Sequence, residues 1–324
     1  MKVLVTDRFH VRDERILRSH PDVELIRAKN PGRPTAEELK DVVAMIVRSR
    51  TKIDKELLLL APQLKLVVTS TSGFDHINFD DCAKNDVKVA YTPEANAASA
   101  AELTWALVLA CARKIRKAHE MVQTENWDRS QLMGMELRGK VYGIIGLGRV
   151  GRRVARIANA MDMKVIAFDP YKSDEYFKEY QTQRVGITEL FRMSQIVSVH
   201  VPKTKETSFF ISKDFLADLG PEGIFVNTSR GEIIRNDDLT IPLEKGQIGS
   251  IGLDVFENEP PSKDLRIIQN PKVVLTPHIG ATTHEALENS SLMAAQIVID
   301  YLNGKTIADT LPPAETWYHT PHAR

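Results

Sequence analysis

Residues 141–169 leave this chain little freedom in what it can fold into. An apolar run, Val141 to Ile145, enters the turn Gly146-Leu147-Gly148-Arg149-Val150-Gly151, and a second apolar run, Met163 to Phe168, ends in Asp169, eighteen residues past the last glycine. Strand, glycine-rich turn, helix, strand and acid in that order form a parallel β-α-β unit suited to a dinucleotide. Gly146 permits the turn, Gly148 lets the main chain approach a pyrophosphate, and Gly151 lets the helix pack closely on the strand. Main-chain N–H groups at the start of that helix are expected to face the phosphates. Asp169, at the tip of the second strand, is placed to accept hydrogen bonds from the adenosine ribose and to repel a 2′-phosphate, so NAD is expected rather than NADP.

The remaining chain continues the same alternation. Runs at Lys2–Thr6, Val23–Ala28, Ala44–Arg48, Leu66–Thr69 and Val87–Ala90 alternate with polar helical stretches, the pattern of a first parallel α/β sheet. One long helix without Gly or Pro is expected from Ala97 to about Gln123, carrying Leu103, Leu107, Leu109, Ala110 and Ile115, with a loop at Trp127 after it. From Val141 onward six strands are expected, the others at Val165–Phe168, Ile196–His200, Ile224–Asn227, Ser250–Val255 and Val273–Leu275, the count of a doubly wound nucleotide domain. A last helix is expected over Thr283–Leu302, followed by a polar tail rich in Pro and His, partly mobile.

At 324 residues there is room for two domains. Lys plus Arg and Asp plus Glu both total 43, so no net field draws nucleic acid or an anionic membrane surface. Cys82 and Cys111 are the only cysteines and lack C-x-x-C spacing, which argues against a disulfide framework or a zinc site and fits a reducing cytoplasm. The N-terminus reads at once as a strand rather than a signal peptide, and the longest apolar patch, Leu103–Ala112, is too short to span a bilayer. No histidine outside the motifs below has metal-ligand spacing; His119 and the tail residues His319 and His322 read as ordinary polar residues.

Several further motifs follow in order: Asn96-Ala97-Ala98-Ser99-Ala100-Ala101-Glu102, His200-Val201-Pro202-Lys203-Thr204 with Thr207, Val226-Asn227-Thr228-Ser229-Arg230-Gly231, Gly252-Leu253-Asp254-Val255-Phe256, Glu257-Asn258-Glu259-Pro260 and Thr276-Pro277-His278-Ile279-Gly280. Together with the nucleotide glycines, the chain resembles the D-isomer-specific 2-hydroxyacid dehydrogenases over most of its length. The resemblance implies two Rossmann-like or flavodoxin-like parallel-sheet α/β domains with an active-site cleft between them: a substrate domain of residues 1–97 plus 289–324, and an NAD domain of residues 98–288. It implies cofactor contacts at Gly146, Gly148, Arg149, Val150, Asp169, His200, Val201, Pro202, Thr207, Thr228, Ser229, Arg230, Asp254, His278 and Gly280. It implies substrate contacts at Arg48, Ser49, Ser72, Gly73 and Asn96, and a homodimer formed through the nucleotide domain, with the Ala97–Gln123 helix and the Trp127 loop as the expected contact.

The same residues meet the demands of 2-oxo acid reduction when read alone. A substrate carboxylate needs a cation, and Arg230, after a strand, offers a permanently charged two-pronged donor. As hydride reaches the carbonyl carbon, negative charge grows on its oxygen, and an imidazolium within about 3 Å can donate to it. His278 is the expected acid, and the base in the reverse direction. A carboxylate beside it, Glu259, would favour imidazolium and hold its tautomer. Asp254 is expected near the nicotinamide, accepting from its carboxamide.

Where the family commonly has glycine and asparagine in the first-domain loop, this chain has Thr71 and His76. Phosphoglycerate dehydrogenases of the family would carry an arginine near Thr69, which is missing here, although Arg48 or Arg50 could take a phosphate. The chain also ends before the regulatory domain many of them possess, so no feedback control by an amino acid is expected. Substrates from glyoxylate and pyruvate to 3-phosphoglycerate stay open. Two other classes share the scaffold: an NAD-sensing corepressor-like interaction protein, and formate dehydrogenase, in which glutamine stands where Glu259 is found.

Overall fold

The computed structural model describes residues 1–313, and the tail histidines His319 and His322 lie outside the described residues. The chain forms two parallel-sheet α/β domains. Among the described residues one compact unit is Met1–Ala97 with residues 281–313, and the other is Ala98–Gly280. The second crossing thus falls ahead of the 288/289 boundary expected above. The reason is the last helix, His284–Leu302, which buries Ala294, Ala295 and Val298 with Val3, Val5 and Ile46 of the first unit. Thr283 starts that helix by accepting the N–H of Ala286 at 3.0 Å.

In the first unit, strands β1 (Lys2–Val5), β2 (Glu24–Arg27), β3 (Val42–Val47), β4 (Leu66–Thr69) and β5 (Lys88–Tyr91) are parallel and lie in the order β5-β4-β3-β1-β2. That is the flavodoxin-like order. β4 is buried on both faces, as a parallel strand covered by helices must be. Thr310–Leu311 adds an antiparallel edge strand on β5, an element two residues long that no periodicity announces.

The second unit has seven strands: β6 (Val141–Ile145), β7 (Lys164–Phe168), β8 (Gln183–Arg184), β9 (Ile196–Val199), β10 (Ile224–Asn227), β11 (Ser250–Leu253) and β12 (Val273–Leu275). All are parallel, in the order β12-β11-β10-β9-β6-β7-β8. The expected count of six misses β8, which has only two residues, both exposed, and therefore no apolar run to betray it. Side chains alternate between two cores: Ile145, Val197 and Val199 point to one, Tyr142, Ile144 and Ile196 to the other. Strand order reverses between β6 and β9, so the carboxyl ends of these two strands mark the ligand crevice of this sheet.

The long helix expected over Ala97–Gln123 is two helices, Ala97–Ala112 and Ile115–Gln123, broken at Lys114, which is left-handed (φ 52°). Without glycine or proline there, nothing in the local sequence marks the break. The first of the pair belongs to the second unit: Trp105 donates Nε1–H to the carbonyl of Val154 and stacks at a tilt on Tyr142, ring centroids 5.2 Å apart.

Candidate functional site

The nucleotide loop is built around three glycines with three separate physical tasks. Gly146 is left-handed (φ 90°), and a Cβ there would lie 2.8 Å from the carbonyl oxygen of His200. A Cβ on Gly151 would overlap the carbonyl of Gly146, so the helix Gly151–Ala160 can rest on the turn only without one. Around Gly148 the space is open, with nothing within 4 Å of a Cβ position. Val150 holds the cap position of that helix and has no side-chain acceptor to offer, which leaves the helix start suited to an anion.

Asp169 is buried, and its carboxylate accepts from two main-chain N–H groups, Leu147 at 2.9 Å and Tyr171 at 3.0 Å. The acid therefore holds the glycine turn as well as marking the strand end. A carboxylate has about four acceptor positions, so two remain for other donors. Open space at Gly148, an uncapped helix start and a buried acid with spare lone pairs fit a dinucleotide.

Further along the sheet, the turn after β10 is organised by Asn227, for which residue type and spacing announce no chemical role. Asn227 is 1% exposed; its Oδ1 accepts from the N–H and hydroxyl of Ser229 at 3.0 and 2.9 Å, and its Nδ2 donates to the carbonyl of Arg230 at 2.8 Å. Asparagine two residues before serine is the only local signal for this turn. Thr228 is tied to Thr104 through their hydroxyls at 2.8 Å. Thr207 closes its own turn, donating to the carbonyl of Pro202 at 2.7 Å and accepting from the N–H of Thr204 at 2.7 Å.

The loops after β11 and β12 are joined by Asp254, which is fully buried. Its Oδ1 accepts from the hydroxyl of Thr276 at 2.7 Å and the N–H of Ile279 at 2.8 Å, and its Oδ2 from the N–H of Gly280 at 2.9 Å. The carbonyl of Asp254 also accepts from the N–H of His278 at 2.8 Å. Between these ties His278 is held left-handed (φ 53°), a conformation that costs a non-glycine residue about 1 kcal/mol or more. Asp254 is thus the staple of the histidine loop.

So placed, His278 Nδ1 meets Glu259 Oε2 at 2.7 Å, while Glu259 Oε1 accepts from the N–H of Phe256 at 3.1 Å. The hydrogen bond that Nδ1 donates to Glu259 raises the imidazole above its ordinary range, against the opposing effect of partial burial. Partial burial by itself would raise Glu259, but the His278 hydrogen bond and charge, with Arg230, bring it below the usual carboxylate range. The Arg230 guanidinium is close enough to act on both partners, lowering each. Arg230, Glu259 and His278 are therefore one electrostatic group, with the second imidazole nitrogen left for another partner.

In the first unit, Arg48 is half-buried and uses Nη1 to donate to the carbonyl of Ser70 at 3.1 Å and the hydroxyl of Ser290 at 3.3 Å. Arg50 is exposed and lies 4.0 Å from Asp7. The hydroxyl of Thr71 bonds that of Thr69 at 2.6 Å and donates to the carbonyl of Gly73 at 2.7 Å, and Thr69 meets His76 Nε2 at 3.1 Å. The two departures from the family pattern thus bond through Thr69, bracing the loop that carries Ser72 and Gly73. Ser49 is exposed, while Ser72, Gly73 and Asn96 are half-buried. Both cysteines are buried thiols. Among the described residues no group of three or more His, Cys, Asp or Glu could hold a metal ion, and no helix is long and apolar enough to cross a membrane.

Residues 105–280 match the family described as D-isomer specific 2-hydroxyacid dehydrogenase, NAD binding domain. The chain is 38% identical over 280 residues to a D-3-phosphoglycerate dehydrogenase of Archaeoglobus fulgidus, covering 86% of this chain and 53% of that protein. It thus spans about half the length of several phosphoglycerate dehydrogenases it matches. A glyoxylate reductase of Thermococcus litoralis is 34% identical over 313 residues, 94% of each chain. Among solved structures, a D-lactate dehydrogenase from Aquifex aeolicus complexed with NAD and lactic acid superposes with a TM-score of 0.82 at 28% identity, covering 94% of this chain and 96% of that one.

Proposed function

The chain belongs to the D-isomer-specific 2-hydroxyacid dehydrogenases, and from that premise we propose that it interconverts a small 2-oxo acid and its D-2-hydroxy acid with NAD. The observation that carries the proposal is the His278–Glu259 hydrogen bond at 2.7 Å, on an imidazole that Arg230 also reaches electrostatically. NAD, when bound, supplies or accepts the hydride at its nicotinamide. Arg230 holds the substrate carboxylate through its planar fork. His278, kept cationic by Glu259, gives the proton of its free nitrogen to the developing alkoxide, and takes a proton in the reverse direction. Glu259 holds the imidazole orientation, Asp254 fixes the loop beneath it and remains the proposed acceptor for the carboxamide. Arg48, Ser49, Ser72, Gly73 and Asn96 are proposed to supply the other substrate contacts. A phosphate-bearing substrate stays open, with the exposed Arg50 as one cation that could meet it.

The test is NADH oxidation with glyoxylate, hydroxypyruvate, pyruvate and 3-phosphohydroxypyruvate. Turnover with at least one is expected; tight NADH binding without turnover on any of them would instead favour the sensor reading.

The pH profile follows from the sign of the His278 shift. Reduction needs the protonated imidazole, so its rate is expected to persist above the ordinary histidine range and to fall as pH rises through the raised value. Glu259→Gln is expected to move that falling limb to lower pH, read from kcat/KM between pH 5 and 9. An unmoved limb would show that another group titrates.

The homodimer and a cytoplasmic setting belong to the same proposal. Leu109, Ile115, Val122, Trp127 and Met133 are exposed along the helix pair and the loop after it, Trp127 by 74% and Met133 by 80%, apolar side chains that a second copy could cover. Light scattering is expected to find a dimer in the native protein and a monomer in Trp127→Ser/Met133→Ser. A dimer persisting in the double variant would place the contact elsewhere. Two buried thiols without a disulfide suit a reducing compartment.

A further inference from the structure

One buried polar side chain in the second unit has no task in the mechanism above. Tyr142 lies in β6, fully buried among Trp105, Ile144 and Ile196, and its hydroxyl meets no partner at full hydrogen-bond geometry. A phenol proton buried without an acceptor is destabilising, so the direction in which this group faces carries information. It faces Ser198. The strand register explains why: Tyr142 pairs with Ile196 of β9, which makes Ser198 its diagonal neighbour on the same face of the sheet. Ser198 is itself fully buried, and its hydroxyl lies 2.8 Å from Nε2 of His200, two residues further along that face. His200 stands half-buried at the carboxyl end of β9, where its N–H continues the ladder to Ile145 at 2.8 Å and its carbonyl abuts Gly146 of the nucleotide turn.

The three groups can share protons in only one satisfactory direction. If Nε2–H donated to Ser198, the serine proton would point toward Tyr142, and the phenol proton would be left in an apolar core. If instead Tyr142 donates to Ser198 and Ser198 donates to Nε2, every buried proton has an acceptor. We propose that Tyr142 and Ser198 hold His200 as the neutral Nδ1–H tautomer, a fixed hydrogen-bond donor at the nucleotide turn for an acceptor atom of the bound dinucleotide. Burial also pushes the imidazole down to about 3, so the ring stays neutral through the working range. His200 thereby differs in kind from His278: one imidazole is kept charged to move a proton, the other neutral to hold a ligand. The donor role rests on the NAD reading above, whereas the tautomer does not.

Nitrogen-15 NMR of the ligand-free protein separates the two. The Nδ1–H signature is expected at His200 in the native chain, with a shift toward Nε2–H in Ser198→Ala, which removes the proton donated to Nε2; Tyr142→Phe leaves Nε2 as the acceptor for the Ser198 proton and is expected to keep Nδ1–H. An Nε2–H ring in the native chain, or an unchanged ring in Ser198→Ala, overturns the relay. For the ligand, Ser198→Ala is expected to weaken NADH binding on the order of fivefold, the worth of one hydrogen bond. Ser198→Thr is expected to restore it. His200→Asn, whose amide N–H replaces Nδ1–H, should bind NADH better than His200→Gln. Equal binding by all four variants overturns the donor role while the tautomer stands, and no NADH binding by the native chain overturns the NAD reading itself.

Discussion

His278→Ala is expected to lower kcat for 2-oxo acid reduction on the order of a thousandfold while leaving the Kd for NADH within about twofold, the loss typical when a positioned proton donor is removed. The magnitude follows from what His278 supplies. Charge grows on the carbonyl oxygen as hydride arrives, and a cationic donor held by a 2.7 Å bond to Glu259 is already oriented before the reaction begins. Arg230→Ala is expected to act differently, raising KM as well as lowering kcat, because a substrate carboxylate without its cation is both weakly held and misaligned. Arg230→Lys is expected to recover little, since a point charge cannot reproduce the two parallel donors of a guanidinium. Steady-state rates with NADH titrated separately by fluorescence distinguish these outcomes. A His278→Ala protein within tenfold of native kcat would mean that the proton comes from another group.

The second large effect is expected at Gly231, a residue with no side chain to do chemistry. A Cβ there would overlap the main chain of Phe256 and crowd the N–H of Glu257, because the turn carrying Arg230 presses directly on the loop carrying Glu259. Both partners are backbone, so no flexible side chain can move aside. Gly231→Ala is expected to destabilise the second unit by about 1–3 kcal/mol, the usual result of overpacking. It is also expected to reduce kcat at least a hundredfold, since displacing the Glu259 loop by about 1 Å misplaces the imidazole it orients. Thermal unfolding and activity measured on one preparation check both. Native Tm and native kcat together would show that the two loops can separate freely.

Much of this was legible before any coordinate. The spacing from Gly146 to Asp169 called for a parallel β-α-β unit, because each residue type there answers a local steric or charge requirement. The buried strands β9 and β10 announced themselves as apolar runs. Short elements did not: β8 and Thr310–Leu311 owe their conformation to a neighbouring strand and to nothing in their own two residues. The break at Lys114 was equally silent, since a lysine in the left-handed region is imposed by packing on either side.

The candidate site divides in the same way. Arginine, glutamate and histidine following successive strands could be picked out by residue type, because few side chains can bind a carboxylate or deliver a proton. What each neighbour does was not readable. Asp254 suggested a ligand contact, and the structure adds a second task, stapling the histidine loop with three acceptor bonds; Asn227 and Tyr142 gave no sign of shaping a turn or facing a buried serine. Composition and spacing determine which chemistry is present and roughly where the chain turns, since those depend on a residue and its near neighbours. Proton direction, charge state and loop strain were decided by tertiary structure alone, because each depends on groups distant in sequence that meet only when the sheet has formed.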